Sequence, residues 1–446
     1  MKTVAVSGAG AVSGLGWGVE ALWEGLRAGR CAIGPFRRFD HVHHRTHVAA
    51  EAADAPEHLT RLAGWDRLSV ADRFALAAAL EAVRQAGLSI PFTDDFEAGV
   101  FFGSSTGGMW EAEGFFRDFV TDRRRSRLRD LASHQVNAPG DALARSFGVT
   151  GPVRTVSSAC ASGALALGAA LEAVRSGQVD VALAGGSDSL CQLTYAGFNA
   201  LRSVDESPCR PFRAGRAGMS FGEGAAVLVL EPLERVLARG AVPLAVLEGA
   251  GASCDAHHMT APDPSGTGAA AALDAALRDA GRAPAEIDFV NAHATGTPLN
   301  DAAEWNALQR VFGARAAEIP VTATKALLGH LLGTSGAIEA VATVLCLLHG
   351  ELHPGPSCEI REAEEGSEPA EQVPVSLVLD QSLPLPQVRA AVSTSLAFGG
   401  SNAALVFSRW AVEALRDQPA EALRDQPVEA PPAGQPGLPG KPGQTA

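Results

Sequence analysis

Paired cysteines, long apolar runs and excess positive charge are what this chain of 446 residues has little of. Its seven cysteines, at 31, 160, 191, 209, 254, 346 and 358, are odd in number and scattered, with no C-x-x-C pair. That spacing argues against a disulfide framework and a cysteine zinc site, and it suits a reducing compartment. No apolar run is expected to reach the roughly 18 residues needed to cross a bilayer, and MKTVAVSGAG lacks the long apolar core of a signal peptide. A cytoplasmic protein without a membrane partner is therefore expected. With 36 Lys and Arg against 50 Asp and Glu, the net charge is -14, which argues against general nucleic-acid binding. The early glycines at 8, 10 and 14 miss the G-x-G-x-x-G spacing, and no acidic residue closes a second strand about 20 residues on, so a dinucleotide site is not expected.

What is present is an apolar fraction of 46% with 6% aromatics, rich in Ala and Gly. The length allows two domains, or two halves sharing one large core. KTVAVSGAGAVSGLG reads as a short buried strand and a glycine-rich turn. Helical and strand-like segments then alternate, among them ADRFALAAALEAVRQAG, AGVFFGSS, ALALGAALEAVRSG, VDVALAGG and AAVLVLEPL. PLAVLEGAGAS, GAAAALDAALRDAG, IDFVNAH, TSGAIEAVATVLCLLHG, QVRAAVSTS and NAALVFS repeat the theme. Such alternation predicts an α/β fold with sheets covered on both faces, in two halves of about 1–240 and 241–410. From 411 to 446 EALRDQP occurs twice, and glycines at 434, 437, 440 and 443 follow a period of three too short for a triple helix. This segment reads as an extended, largely disordered tail.

Cys160 lies in TVSSACASGALALGAALEAV, where a strand-like pattern turns helical. The N–H groups and dipole of the following helix would favour its thiolate and could hold an oxyanion. Small neighbours would admit a substrate chain. Cys191, Cys254 and Cys346 read instead as inert core thiols. Two distant segments add histidines: NAHATGTPLND carries His293 with Thr295 and Thr297, and TKALLGHLLGTSGAIEA carries Lys325 and His330 before a helix bearing Glu339.

With SSACASG, VDVALAGGSDSL, FGEGAAVLVLE and LAFGGSNAALVF, these segments resemble the β-ketoacyl-acyl carrier protein synthases of the thiolase superfamily, closest to the type II elongating group. The matches cover about residues 3–408 in the expected order. The resemblance implies a thiolase-like, five-layered αβαβα fold with two pseudo-equivalent halves. It makes Cys160 the nucleophile, His293 and His330 the catalytic pair, and Lys325 with Glu339 a supporting ion pair. Thr295 and Thr297 match positions that bond the phosphopantetheine arm. Phe398 matches a gate whose N–H joins that of Cys160 in an oxyanion hole, with Gly399 and Gly400 supplying freedom. The implied reaction is decarboxylative condensation with malonyl carrier protein, without a metal or redox cofactor. The implied partners are an acyl carrier protein and a second synthase-like chain, as a homodimer or as a heterodimer with a chain-length factor. A catalytically silent chain-length factor normally lacks the nucleophile, so Cys160 argues against that alternative.

Several positions depart from the family pattern. H-G-T becomes His293-Ala294-Thr295, F-G-F-G-G becomes Leu396-Ala397-Phe398-Gly399-Gly400, and RPFRAGRAGM puts Arg213 and Ala217 in place of acids. Met219 stands near the acyl tunnel, and Thr106 stands where a large apolar residue commonly ends the acyl pocket. A specialised polyketide or polyene pathway and the fatty-acid pathway both stay open. Arg123, Arg124 and Arg125, in TDRRRSRLRD, are expected to dock the acidic carrier protein. HVHHRTH, with histidines at 41, 43, 44 and 47, reads as a surface loop rather than a metal site.

Overall fold

Ten consecutive buried residues, Val4–Ser13, form strand β1 in the computed structural model, which describes residues 2–92, 96–122, 126–356 and 370–410. The expected short strand and glycine turn is corrected here, because the strand runs straight through Gly8 and Gly10. A Cβ at Gly8 would meet the Ala82 carbonyl oxygen at 2.0 Å, and one at Gly10 that of Ala78 at 1.9 Å. The glycines thus let helix α1 (Val70–Gln85) lie directly on the strand. That helix starts on a capping box in which Ser69 and Asp72 exchange side-chain to backbone bonds.

Strands β2 (Ala98–Gly103), β3 (Val153–Val156), β4 (Val181–Asp188) and β5 (Gly224–Pro232) complete the first sheet in the order β1-β5-β4-β2-β3. β2 is parallel to β3 and β4, whereas β5 is antiparallel to β4 and β1. The second half supplies β6 (Ala245–Cys254), β7 (Phe289–Asn291), β8 (Pro320–Thr322), β9 (Ser376–Leu377), β10 (Ala390–Leu396) and β11 (Ser401–Arg409). Their order is β6-β11-β10-β7-β8-β9, again two antiparallel pairings followed by parallel ones. Val4–Val6 pair with Ala245–Leu247, so β1 and β6 join the two sheets. The same plan therefore occurs twice.

Helices α2 (Ala138–Phe147), α3 (Ser162–Arg175), α4 (Gln192–Ala200), α5 (Thr267–Ala280), α6 (Pro298–Phe312), α7 (Lys325–Leu328) and α8 (Ser335–His349) fill the connections. α1 and α2 cover the outside of the first sheet, α5 and α6 that of the second, and α3 and α8 pack against strands of both. The result is the five-layered αβαβα arrangement, with a core between the sheets that includes Phe101, Leu167, Ile338, Val341 and Phe407.

The middle layer also corrects one expectation about apolar runs. Leu332–His349 is an 18-residue stretch of mean hydropathy 1.5, long and apolar enough by composition to cross a membrane. It is 89% buried inside the protein, because a helix between two sheets has no face left for water. The tail at 411–446 lies outside the described residues.

Candidate active site

Between the end of β3 and the start of α3 the chain turns sharply. Ala159 adopts φ 44, a left-handed conformation that costs a residue with a Cβ roughly 1–2 kcal/mol. Hydroxyls fix this turn. Ser162 Oγ donates to the Ala159 carbonyl at 2.6 Å and accepts the Ser158 N–H at 2.8 Å, while Ser105 Oγ donates to the same carbonyl at 3.1 Å. Cys160 follows, buried just ahead of the helix. Its thiol is pushed up to about 11 by burial, against the charge of Lys325 and the backbone N–H groups of Phe398 and Cys160 itself. The expectation of a resting thiolate is thereby corrected: desolvation outweighs the helix terminus, and the group is a protonated thiol at neutral pH.

The other cysteines differ among themselves. Burial pushes Cys191 up to about 11 and Cys346 up to about 12, as inert core thiols should behave. Cys254 is not one of them. It is exposed at the outer end of β6, where alternate residues leave the core, and its Sγ lies 3.7 Å from the Gly399 carbonyl oxygen.

On the opposite wall β7 ends at Asn291, shorter than IDFVNAH suggests, and the backbone turns through His293 and Ala294. Their N–H groups donate to Glu304 Oε1 and Oε2 at 2.7 and 2.8 Å, and Thr394 Oγ1 donates to the same carboxylate at 2.7 Å. Ala294 has φ 44, so the alanine in this motif is strained, whereas Ala397 is ordinary extended backbone at φ -134. Glu304, on α6, escaped the sequence reading. Asking what satisfies two loop N–H groups beside a capped helix is the signal that points to it.

The two histidines receive their protonation states from their neighbours. Lys325 Nζ stands 3.1 Å from His293 Nδ1, and its ammonium pairs with Glu339. His330 Nδ1 accepts the Leu332 N–H at 3.0 Å and faces the Ser335 hydroxyl at 3.1 Å. Both Nδ1 atoms are therefore acceptors, which assigns the ring protons to Nε2. Burial, then the Lys325 charge, holds both imidazoles well below their usual range, so both are neutral. Burial also pushes Glu339 up to about 7, with Lys325 opposing it. The rings meet edge to face, 5.5 Å apart at 88°. Cys160 Sγ and one nitrogen of each ring lie within 4.8 Å of one another. Such a cluster could in principle ligate a metal, but Nε2–H groups aimed inward suit hydrogen-bond donation instead.

A cavity of about 370 Å³ reaches Cys160, His293 and His330. Thr295, Thr297, Met219 and Phe398 line it, with the two threonine Oγ1 atoms 3.0 Å apart. Phe398 opens a tight turn in which Gly399 and Gly400 take φ 83 and 78, a conformation side chains resist. Its ring stacks on Phe198 of α4 at 5.2 Å, a cavity residue the sequence did not single out. Thr106 does not line this cavity: its N–H and hydroxyl bond Asp188 Oδ1 at 2.7 and 2.8 Å, because the buried carboxylate needs donors. Of the family departures, Ala217 faces the cavity and Arg213 bonds the Pro356 carbonyl. Arg123, Arg124 and Arg125 lie outside the described residues.

Known proteins share this architecture. Residues 1–235 match the family described as Beta-ketoacyl synthase, N-terminal domain, and residues 244–359 its C-terminal domain. Nodulation protein E of Rhizobium meliloti is 36% identical over 416 residues, covering 92% of this chain and 99% of that protein. The 3-oxoacyl-[acyl-carrier-protein] synthase 2 of Synechocystis sp. is 35% identical over 420 residues, covering 92% and 98%. The solved ishigamide ketosynthase/chain length factor superposes with a TM-score of 0.84 at 34% identity, covering 92% of this chain and 100% of that one. Matched in both halves and along nearly the whole length of these relatives, the chain belongs to the beta-ketoacyl synthase family.

Proposed function

We propose that this protein is an elongating β-ketoacyl-acyl carrier protein synthase in which Cys160 carries the growing chain and His293 and His330 serve the condensation. The observation that carries this reading is the pair of neutral imidazoles with their protons on Nε2, facing a thiol in one cavity.

In the first step the Cys160 sulfur attacks the thioester carbon of an acyl carrier protein. The new C–S bond forms, the bond to the pantetheine sulfur breaks, and the thiol proton ends on that departing sulfur. The N–H groups of Cys160 and Phe398 receive the oxyanion of the tetrahedral intermediate. In the second step malonyl carrier protein loses carbon dioxide, and the enolate oxygen accepts hydrogen bonds from the two Nε2–H groups. The carbanion then attacks the acyl carbon, and Cys160 leaves and takes a proton from solvent. Lys325, held by Glu339, keeps His293 in the donating tautomer. Thr295 and Thr297 bind the pantetheine arm, and Met219 borders the acyl chain. These steps use no metal or redox cofactor.

The carrier protein is the partner that the thioester chemistry requires, and Arg123, Arg124 and Arg125 form its basic dock. A cytoplasmic, dimeric enzyme fits this chemistry, its second chain being another copy or a chain-length-factor relative. The name of the ishigamide ketosynthase/chain length factor supports the second pairing. Both polyketide and fatty-acid elongation use the same steps.

Intact-mass spectrometry after incubation with acyl carrier proteins of different chain length tests the reading. It predicts one acyl group on the wild type and none on Cys160→Ala. Equal loading of the variant overturns it, and no loading of the wild type in the presence of its partner favours a silent assembly subunit.

A further inference from the structure

The histidine-rich loop HVHHRTH has no part in the condensation chemistry. It is nonetheless firmly anchored. Asn199 Oδ1 accepts the N–H groups of Arg45 and Thr46 at 3.0 and 3.1 Å, and the Tyr195 hydroxyl donates to the Thr46 carbonyl at 2.8 Å. Both anchoring residues belong to α4. At the loop's start the His41 ring stacks on Phe36, with centroids 4.3 Å apart.

Its Nε2 lies 3.3 Å from the Phe36 carbonyl oxygen, a group that can only accept. The His41 proton therefore sits on Nε2, and the Nδ1 lone pair is free to act as an acceptor or ligand. That Nδ1 is 3.0 Å from Nδ1 of His47. A ring nitrogen fixed by a backbone carbonyl on its far side is the usual support of a metal-binding histidine. The spacing agrees with this. Two imidazole nitrogens at roughly 2.0–2.1 Å from one ion stand about 2.9 Å apart at a right angle and about 3.3 Å apart in a tetrahedron.

We propose that His41 and His47, through their Nδ1 atoms, form a site for a divalent transition ion of the imidazole-preferring class, such as zinc. Solvent completes the coordination. In the metal-free loop His47 donates its Nδ1 proton to His41. When the ion binds, two N–metal bonds replace that hydrogen bond and His47 carries its proton on Nε2. The site is separate from the catalytic cluster and does not depend on the proposed reaction.

Equilibrium dialysis of the full chain against zinc at neutral pH, with cobalt(II) absorption as a second readout, tests it. Wild type, Cys160→Ala and the exposed control His58→Ala are expected to bind one equivalent alike. His41→Ala and His47→Ala are each expected to weaken binding by at least about tenfold. Cobalt in the wild type should show d–d bands without a thiolate charge-transfer band. Unchanged binding by the double variant overturns the site, and so does loss of the bound metal in Cys160→Ala, a thiolate band, or binding at millimolar metal only.

Discussion

Two strand-loop-helix units, one from each half, meet at the cavity: β3 leads through 157–161 into α3, and β8 leads through 323–334 into α8. They occupy equivalent places on the repeated plan, yet one delivers Cys160 and the other Lys325 and His330. The short connection forces a strained turn at Ala159 and leaves the thiol directly at a helix start. The longer one has room for α7, which sets Lys325 beneath His293 before His330 closes the loop. On the proposed reading, a duplicated frame thus separates two tasks: a nucleophile on the tight side, and on the roomy side the donor His330 with the lysine that orients His293. This division is what the following substitutions should break or sharpen.

The largest effect is expected at the tight side. Cys160→Ala should lower condensation on the order of 10⁴-fold or more, measured as ketoacyl product, while the fold's denaturation midpoint changes little. On the roomy side, Lys325→Ala leaves Glu339 as a buried carboxylate without its cation. A loss of about 3–5 kcal/mol in urea unfolding is expected, and Glu339→Gln should restore part of it in the double variant. His293→Ala or His330→Ala should slow malonyl decarboxylation by about 10²–10³-fold while acyl loading of Cys160, followed by intact mass, stays within a few-fold. Comparable losses in both half-reactions for either histidine would erase the division. The smallest effect concerns backbone strain. Ala294→Gly should raise unfolding stability by about 1 kcal/mol in denaturant titration, since glycine takes φ 44 without a Cβ penalty.

Much of this arrangement was legible in the sequence because its signals are local. Alternating apolar runs marked the strands and helices, and the small-residue stretch around Cys160 marked the crowded start of α3. His293 and His330 stood at the ends of recognisable strand and glycine-loop patterns. What stayed hidden depends on three-dimensional neighbours. Glu304 comes eleven positions after His293, and its task appears only when the loop N–H groups fold onto α6. The Thr106 hydroxyl is taken by Asp188, a partner far along the chain. The protonated state of Cys160 follows from burial beneath both halves, which no local pattern records. Gly8 and Gly10 looked like a turn because a close helix on a strand leaves the same composition.

The most direct test of the division is the pH dependence of the two half-reactions, acyl loading of Cys160 and malonyl decarboxylation, measured separately on one preparation. With the thiol pushed up to about 11, the thiolate fraction grows about tenfold per pH unit below that value, and loading should rise with it. The histidines are held below their usual range, so decarboxylation should stay flat through neutral pH and fall only as pH drops well below 6.5. If both half-reactions instead share one transition near the ordinary histidine value, a single titrating imidazole governs both steps and the division is wrong.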